Sequence, residues 1–196
     1  MNDSRITLLG CGILKKEIEW LIKKNNWPLD TVFLDSSLHV DFNKLSNCLT
    51  TALDKYRDRN TIVFYGCCHP HMEGILKDAN TFRTAGQNCV DILLGNELFT
   101  EELSKGAFFL LEEWVHRWNY IVTRTFGNNL EITRNIFQGD RKYLLGIKTP
   151  CSTDFEAEAV DASIMIGLPL RWMEVSLDNL ESVLNTTITD KLRELR

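Results

Sequence analysis

The sequence predicts an α/β protein built on a mostly parallel, Rossmann-like sheet of about five strands. Three observations carry this. Short apolar, β-rich runs occur at 6–9, 31–35 and 61–65; a stretch of helical periodicity follows each; and strand character resumes at 143–148. Strands that alternate with helices need crossover connections, which are right-handed and join parallel strands. One domain, 1–196, is expected, with a helical insertion over about 88–138.

Ile6-Thr7-Leu8-Leu9 is the first strand, and from Leu14 the spacing Leu14, Ile18, Leu21, Ile22 marks a helix that stops near Pro28. Thr31-Val32-Phe33-Leu34-Asp35 is the second strand. The helix after it, 43–56, carries Leu45, Cys48, Leu49, Leu53 and Tyr56 on one face. Thr61-Ile62-Val63-Phe64-Tyr65 is the clearest strand, β-branched and aromatic, and Pro70 suits the first turn of a helix running to Ala79.

The alternation then lapses. Helices are expected at 88–94, 97–103, 109–123 (a long aromatic one) and 130–138, which together make the insertion. The strand at 143–148, a helix at 155–166, a last strand at 171–175 and a helix at 178–184 complete the chain.

With 44% hydrophobic residues the chain can bury a sizeable core, and its formal charge of −5 comes with no basic block that would attract a phosphate backbone. No nucleic-acid partner is expected. The start Met1-Asn2-Asp3-Ser4-Arg5 leads into an apolar run that Lys15, Lys16 and Glu17 interrupt, so neither a signal peptide nor a membrane span is expected. A cytoplasmic location follows, in which six cysteines would be free thiols, metal ligands or redox groups.

Cys11, Cys68 and Cys89 each sit where a hydrophobic segment gives way to a turn or helix, the side on which parallel sheets carry their ligands. Cys68 precedes His69-Pro70-His71-Met72-Glu73, read as a helix opening whose amides would lower the thiol pKa; the same lowering, more weakly, is expected for Cys89, which follows Asn88, a helix cap, and Gly86, which permits a tight turn. Cys11 lies between Gly10 and Gly12, a pairing that would allow close approach of a bound group. Three converging thiolates suit zinc, or an iron–sulfur cluster with one iron open. A metal-free reactive thiol is the alternative chemistry.

His69, His71 and Cys151 are further candidate ligands; the competing reading of the histidines is as surface polar residues of a helix start. Cys48, on an apolar helix face, belongs to the core. Cys67 should point into the core too, opposite Cys68, if the strand pleat continues through both. His116 reads as a helix-surface residue and His39 carries no signal. Gly10-Cys11-Gly12 lacks the third glycine of a dinucleotide loop, and Asp35, the ribose acid of such a site, is equally a helix cap. Phe108, Phe109, Trp114, Trp118 and Tyr120 could line a pocket for a flat ligand such as a corrinoid, although aromatics at helical spacing favour the core.

Over most of its length the chain resembles the domain-of-unknown-function 1638 family. The residues that carry the likeness are the early strand ending in Cys11, Tyr65-Gly66-Cys67-Cys68, the segment Asn88-Cys89-Val90-Asp91-Ile92-Leu93-Leu94-Gly95, and Gly106-Ala107-Phe108-Phe109-Leu110 followed by Trp114. The resemblance implies one-carbon or methylamine metabolism beside corrinoid-dependent methyltransferases. Two departures, Asn88 in place of an acidic residue and the ligand-rich Cys67-Cys68-His69-Pro70-His71, imply a changed metal or substrate.

The expected function is therefore a metal- or iron–sulfur-binding protein with a three-cysteine centre at the carboxyl edge of the sheet, an enzyme or metallocentre carrier acting on a small molecule. Its rival is a non-catalytic accessory protein that binds a corrinoid, a corrinoid protein or a methyltransferase.

Overall fold

A computed structural model describes residues 5–196; the Met1–Ser4 part of the expected leaderless start lies outside them. The fold is mixed α/β, with six strands in two three-stranded parallel sheets. The chain divides into two compact units, residues 1–95 with 177–196, and residues 96–176.

In the first unit, β1 (Ile6–Cys11) is the central strand, flanked by β2 (Leu29–Leu34) and β3 (Asn60–Phe64) in the order β2-β1-β3. Every residue of β1 is buried, as a central parallel strand covered on both faces requires. Gly10 lets β3 approach: a Cβ there would lie 2.8 Å from the Phe64 Cβ. Helix α1 (Lys15–Asn25) ends on Asn26 in the left-handed region, φ 51°, and α2 (Phe42–Lys55) begins on Asp41, whose side chain accepts from the Lys44 amide.

After α3 (Met72–Asp78) the chain runs beside the outer edge of β3. The Val63 amide donates to Phe82 O (3.0 Å) and the Thr84 amide donates to Val63 O (2.9 Å). Helix α4 (Cys89–Leu94) follows. Later in the sequence, α10 (Asp178–Glu194) returns to this unit, where Asn179 donates to Ile92 O (2.9 Å) and Glu181 accepts from Lys24 and Asn25, each at 2.7 Å.

The second unit opens with α5 (Asn96–Ser104) and carries β4 (Ala107–Leu110), α6 (Glu112–Val115), α7 (Trp118–Phe126), α8 (Leu130–Asp140), β5 (Tyr143–Lys148), α9 (Glu156–Ile166) and β6 (Leu170–Glu174). Its sheet has the order β4-β5-β6. Leu110, Val115, Trp118, Phe137, Leu144, Phe155 and Ile166 are among the side chains of its core.

This unit corrects the expectation of an all-helical stretch over 88–138, because β4 lies inside it. The run Phe108-Phe109-Leu110-Leu111 is apolar without a period, and such a run reads equally as strand or buried helix. Pairing with β5, from Ala107 opposite Tyr143 to Leu110 opposite Gly146, makes it a strand. Among the described residues no helix is long and apolar enough to cross a membrane.

Candidate functional site

The strand order reverses at β1, with β2 to one side and β3 to the other. A parallel sheet opens a crevice at the carboxyl ends of its strands at such a point. Cys11, the last residue of β1, is there and is 3% exposed. Its flanking glycines allow close packing in the sheet: Gly10 makes room for Phe64, and a Cβ on Gly12 would meet Leu34 O at 3.0 Å.

Beyond β3 the chain passes through Tyr65 and Gly66 to the two adjacent cysteines. Gly66 lies against the segment before α4; a Cβ on it would fall 2.4 Å from both Gln87 O and Asn88 Cα. The Cys67 amide donates to Gln87 O (2.7 Å) at this crossing. Two features shape the other side. Gly86 takes φ +130°, and Asn88 caps α4 by accepting from the Val90 and Asp91 amides, each at 3.0 Å. Asp91 returns a contact by accepting from the Gln87 amide at 2.6 Å.

The crossing brings Cys89, first residue of α4, to the two other thiols. Its thiol interacts with those of both Cys11 and Cys68. Cys68 is lowered to about 7, first by the Cys89 hydrogen bond and then, against the opposing effect of burial, by a backbone hydrogen bond from Gly66 and the charge of Arg83. Cys89 is pushed well above the ordinary thiol value, because its contacts with Cys11 and Cys68 and its burial all favour the neutral form. The trio thus combines a half-buried sulfur that forms a thiolate readily with a buried one that keeps its proton.

The source of the Cys68 shift differs from the sequence expectation. Helix α3 begins only at Met72, and the neighbouring thiol and guanidinium account for the shift in place of a helix start. For Cys89 the direction itself is reversed: position one of a six-residue helix is outweighed by the interactions with Cys11 and Cys68 and by burial.

Cys67 is also corrected, being exposed and not in the core. Strand pairing ends at Phe64, so pleat alternation no longer governs residues 67 and 68. The Cys67 Sγ accepts from Arg83 Nη2 at 3.1 Å. Arg83 Nη1 donates to Thr84 O and Gly86 O, each at 2.9 Å, and its Nε pairs with Glu73 at 2.7 Å. Arg83 escaped the sequence reading because 82–84, which borders β3 in the structure, is too short to read as a strand.

Tyr65 was read only as a strand residue. It is 1% exposed, and its hydroxyl is buried with no hydrogen-bond partner. The titratable groups around it are the thiols of Cys11, Cys89, Cys68 and Cys48, and burial holds its pKa far above the usual phenol value. An unsatisfied buried hydroxyl costs about 1–3 kcal/mol. Cys48, assigned to the core from its helix face, is half-buried on α2.

The other candidate ligands have contacts of their own. His69 is half-buried, its Nδ1 accepts from the His71 amide at 3.0 Å, and its ring stands edge-on to Phe42 at 5.9 Å; His71 is exposed. Cys151 belongs to the second unit, in the turn after β5, where its amide donates to Thr149 Oγ1 at 3.1 Å. Among the described residues no three His, Cys, Asp or Glu side chains are set on a common point as metal ligands.

In the second unit Trp118, Phe108 and Phe137 pack ring to ring, and Phe109 stacks on Phe99 at 5.3 Å, so these aromatics form core. Tyr120 is exposed. At the carboxyl edge of that sheet Glu112 accepts hydrogen bonds from Thr153, and His116 lies between Glu112 (3.5 Å) and Glu158 (3.7 Å).

A family model described as "Protein of unknown function (DUF1638)" matches residues 33–184, a span that includes Cys68 and Cys89 but not Cys11. No curated protein and no solved structure matches the chain.

Proposed function

The chain belongs to the DUF1638 family, and we propose that Cys11, Cys68 and Cys89 are the thiolate ligands of a metal centre, zinc or an iron–sulfur cluster, in an enzyme or metallocentre carrier that acts on a small molecule. One observation supports the reading: at the carboxyl edge of a parallel sheet the Cys89 thiol interacts with the thiols of both Cys11 and Cys68, and Tyr65, in the same unit, keeps a buried hydroxyl with no partner. The donor set fits in its chemistry, since three cysteine sulfurs are soft ligands of the kind that zinc and iron–sulfur clusters take.

The residues divide the work. Cys68, lowered to about 7, supplies a thiolate without a base and is the half-buried member through which a ligand enters. Cys89 is held in the thiol form and would give up its proton to a metal, so loading would strengthen as pH rises. Cys11, Cys68 and Cys89 would hold the metal, and the chemistry it would supply there is polarisation of a substrate or of water.

A cytoplasmic location is part of the proposal and is supported by six free thiols, which a reducing compartment preserves. The setting in one-carbon metabolism, with a corrinoid protein or a corrinoid-dependent methyltransferase as partner, rests on the family resemblance.

The test is metal analysis of protein purified without oxygen and reconstituted with zinc, or with iron and sulfide. Stoichiometric metal in the wild type, lost in Cys68→Ser and in Cys89→Ser, is the expected result. Metal content at background in the wild type, or undiminished in both variants, would sink the proposal.

A further inference from the structure

We infer that Arg83 is the positioning residue of the thiol cluster: its guanidinium bonds to both segments of the chain crossing at Gly66 and keeps Cys89 closed to solvent. The inference rests on the cluster being the functional site, as proposed above, and needs no bound metal.

The backbone of Arg83 is fixed against the outer edge of β3. Its neighbour Thr84 donates to that strand through its amide, to Val63 O at 2.9 Å, and through its fully buried hydroxyl, to Tyr65 O at 3.3 Å. From this footing the Arg83 side chain, 16% exposed, reaches in three directions. Nε pairs with Glu73 of α3 at 2.7 Å, Nη1 donates to Thr84 O and Gly86 O at 2.9 Å each, and Nη2 donates to Cys67 Sγ at 3.1 Å. Gly86 belongs to the turn that leads through Asn88 to Cys89, and Cys67 to the loop that leads to Cys68. One planar group with donors in fixed directions therefore spans both sides of the crossing. The turn needs such a tie. Gly86, at φ +130°, is the residue type with the most conformational freedom to lose, so bonds from outside must keep it in one shape. Without Arg83 the Thr84 and Gly86 carbonyls lose this donor, and the cover over Cys89, which is 8% exposed, loosens. Lysine would keep the charge, but an ammonium is a point charge without the fork that serves two carbonyls and a sulfur at once.

Cys11 provides the internal reference for a test. It is 3% exposed on β1, and β3 separates it from Arg83 in the order β2-β1-β3. Loss of global stability would expose Cys11 and Cys89 together, whereas release of the 84–88 turn exposes Cys89 alone. The experiment is labelling of the full-length, metal-free protein with N-ethylmaleimide under native conditions, with the rate at each cysteine read by peptide mass spectrometry. In Arg83→Ala the Cys89 rate should rise about tenfold or more, the range set by loss of a donor from buried acceptors, while the Cys11 rate holds. Arg83→Lys should show the same selective rise and, with the charge retained, serves as the readable variant if Arg83→Ala does not fold. Three results would overturn the role of Arg83: equal rises at Cys11 and Cys89, unchanged rates at both, or wild-type rates in Arg83→Lys, which would make the charge and not the fork responsible. None of these readings uses a metal, so they fail separately from the metal centre, which background metal content in the reconstituted wild type would overturn by itself.

Discussion

Gly66 and Asn88 cross so closely that a Cβ on Gly66 would lie 2.4 Å from the Asn88 Cα. The contact is between backbones, which cannot yield by a change of rotamer, and it holds the segment leading to Cys68 against the segment leading to Cys89. The thiol trio depends on it.

Gly66→Ala should therefore open the crossing. We expect a loss of about 1–3 kcal/mol from overpacking, together with separation of Cys68 from Cys89. Thermal melts and the pH dependence of Cys68 alkylation measure the two effects. A variant with both unchanged would mean that the loops part without consequence for the site.

Cys68 should be the thiol that reacts first with iodoacetamide. Because its pKa is lowered to about 7, the rate should climb as pH rises through neutrality and level off above it. The largest contribution to the lowering is the Cys89 hydrogen bond, so in Cys89→Ala the climb should shift to higher pH. Mass spectrometry of the alkylated peptide over a pH series checks this, and a midpoint unmoved by Cys89→Ala would contradict it.

The adjacent cysteines should behave differently. Cys67 is exposed, so Cys67→Ala should change stability by no more than about 0.5 kcal/mol and leave metal loading intact. Cys68→Ser should abolish loading. The reverse assignment in parallel metal analyses would show that the wrong member of the pair had been placed at the site.

Asn88 accepts two amides at the start of α4, and Asn88→Ala should cost about 1 kcal/mol. Since Cys89 is the first residue of that helix, the variant should also bind metal more weakly, whereas Asn88→Asp should retain both properties. Denaturant melts and competition with a chelator would show it.

Much of this protein was legible in its residues. The apolar runs that became β1, β2 and β3, the helices between them, the Asn88 cap and the turn at Gly86 all follow from periodicity and local backbone chemistry, which depend on neighbours a few positions away. So did the family, from segments around Cys68 and Cys89. The tertiary structure alone decided what depends on distant chain. Pairing with β5 made a strand of the ambiguous Ala107–Leu110. The end of pairing at Phe64 released Cys67 outward, and the bridge of Arg83 to Val63 put a guanidinium beside it. The raised pKa of Cys89 and the idle hydroxyl of Tyr65 come from burial among thiols contributed by different loops, an environment that exists only once the backbone has crossed at Gly66.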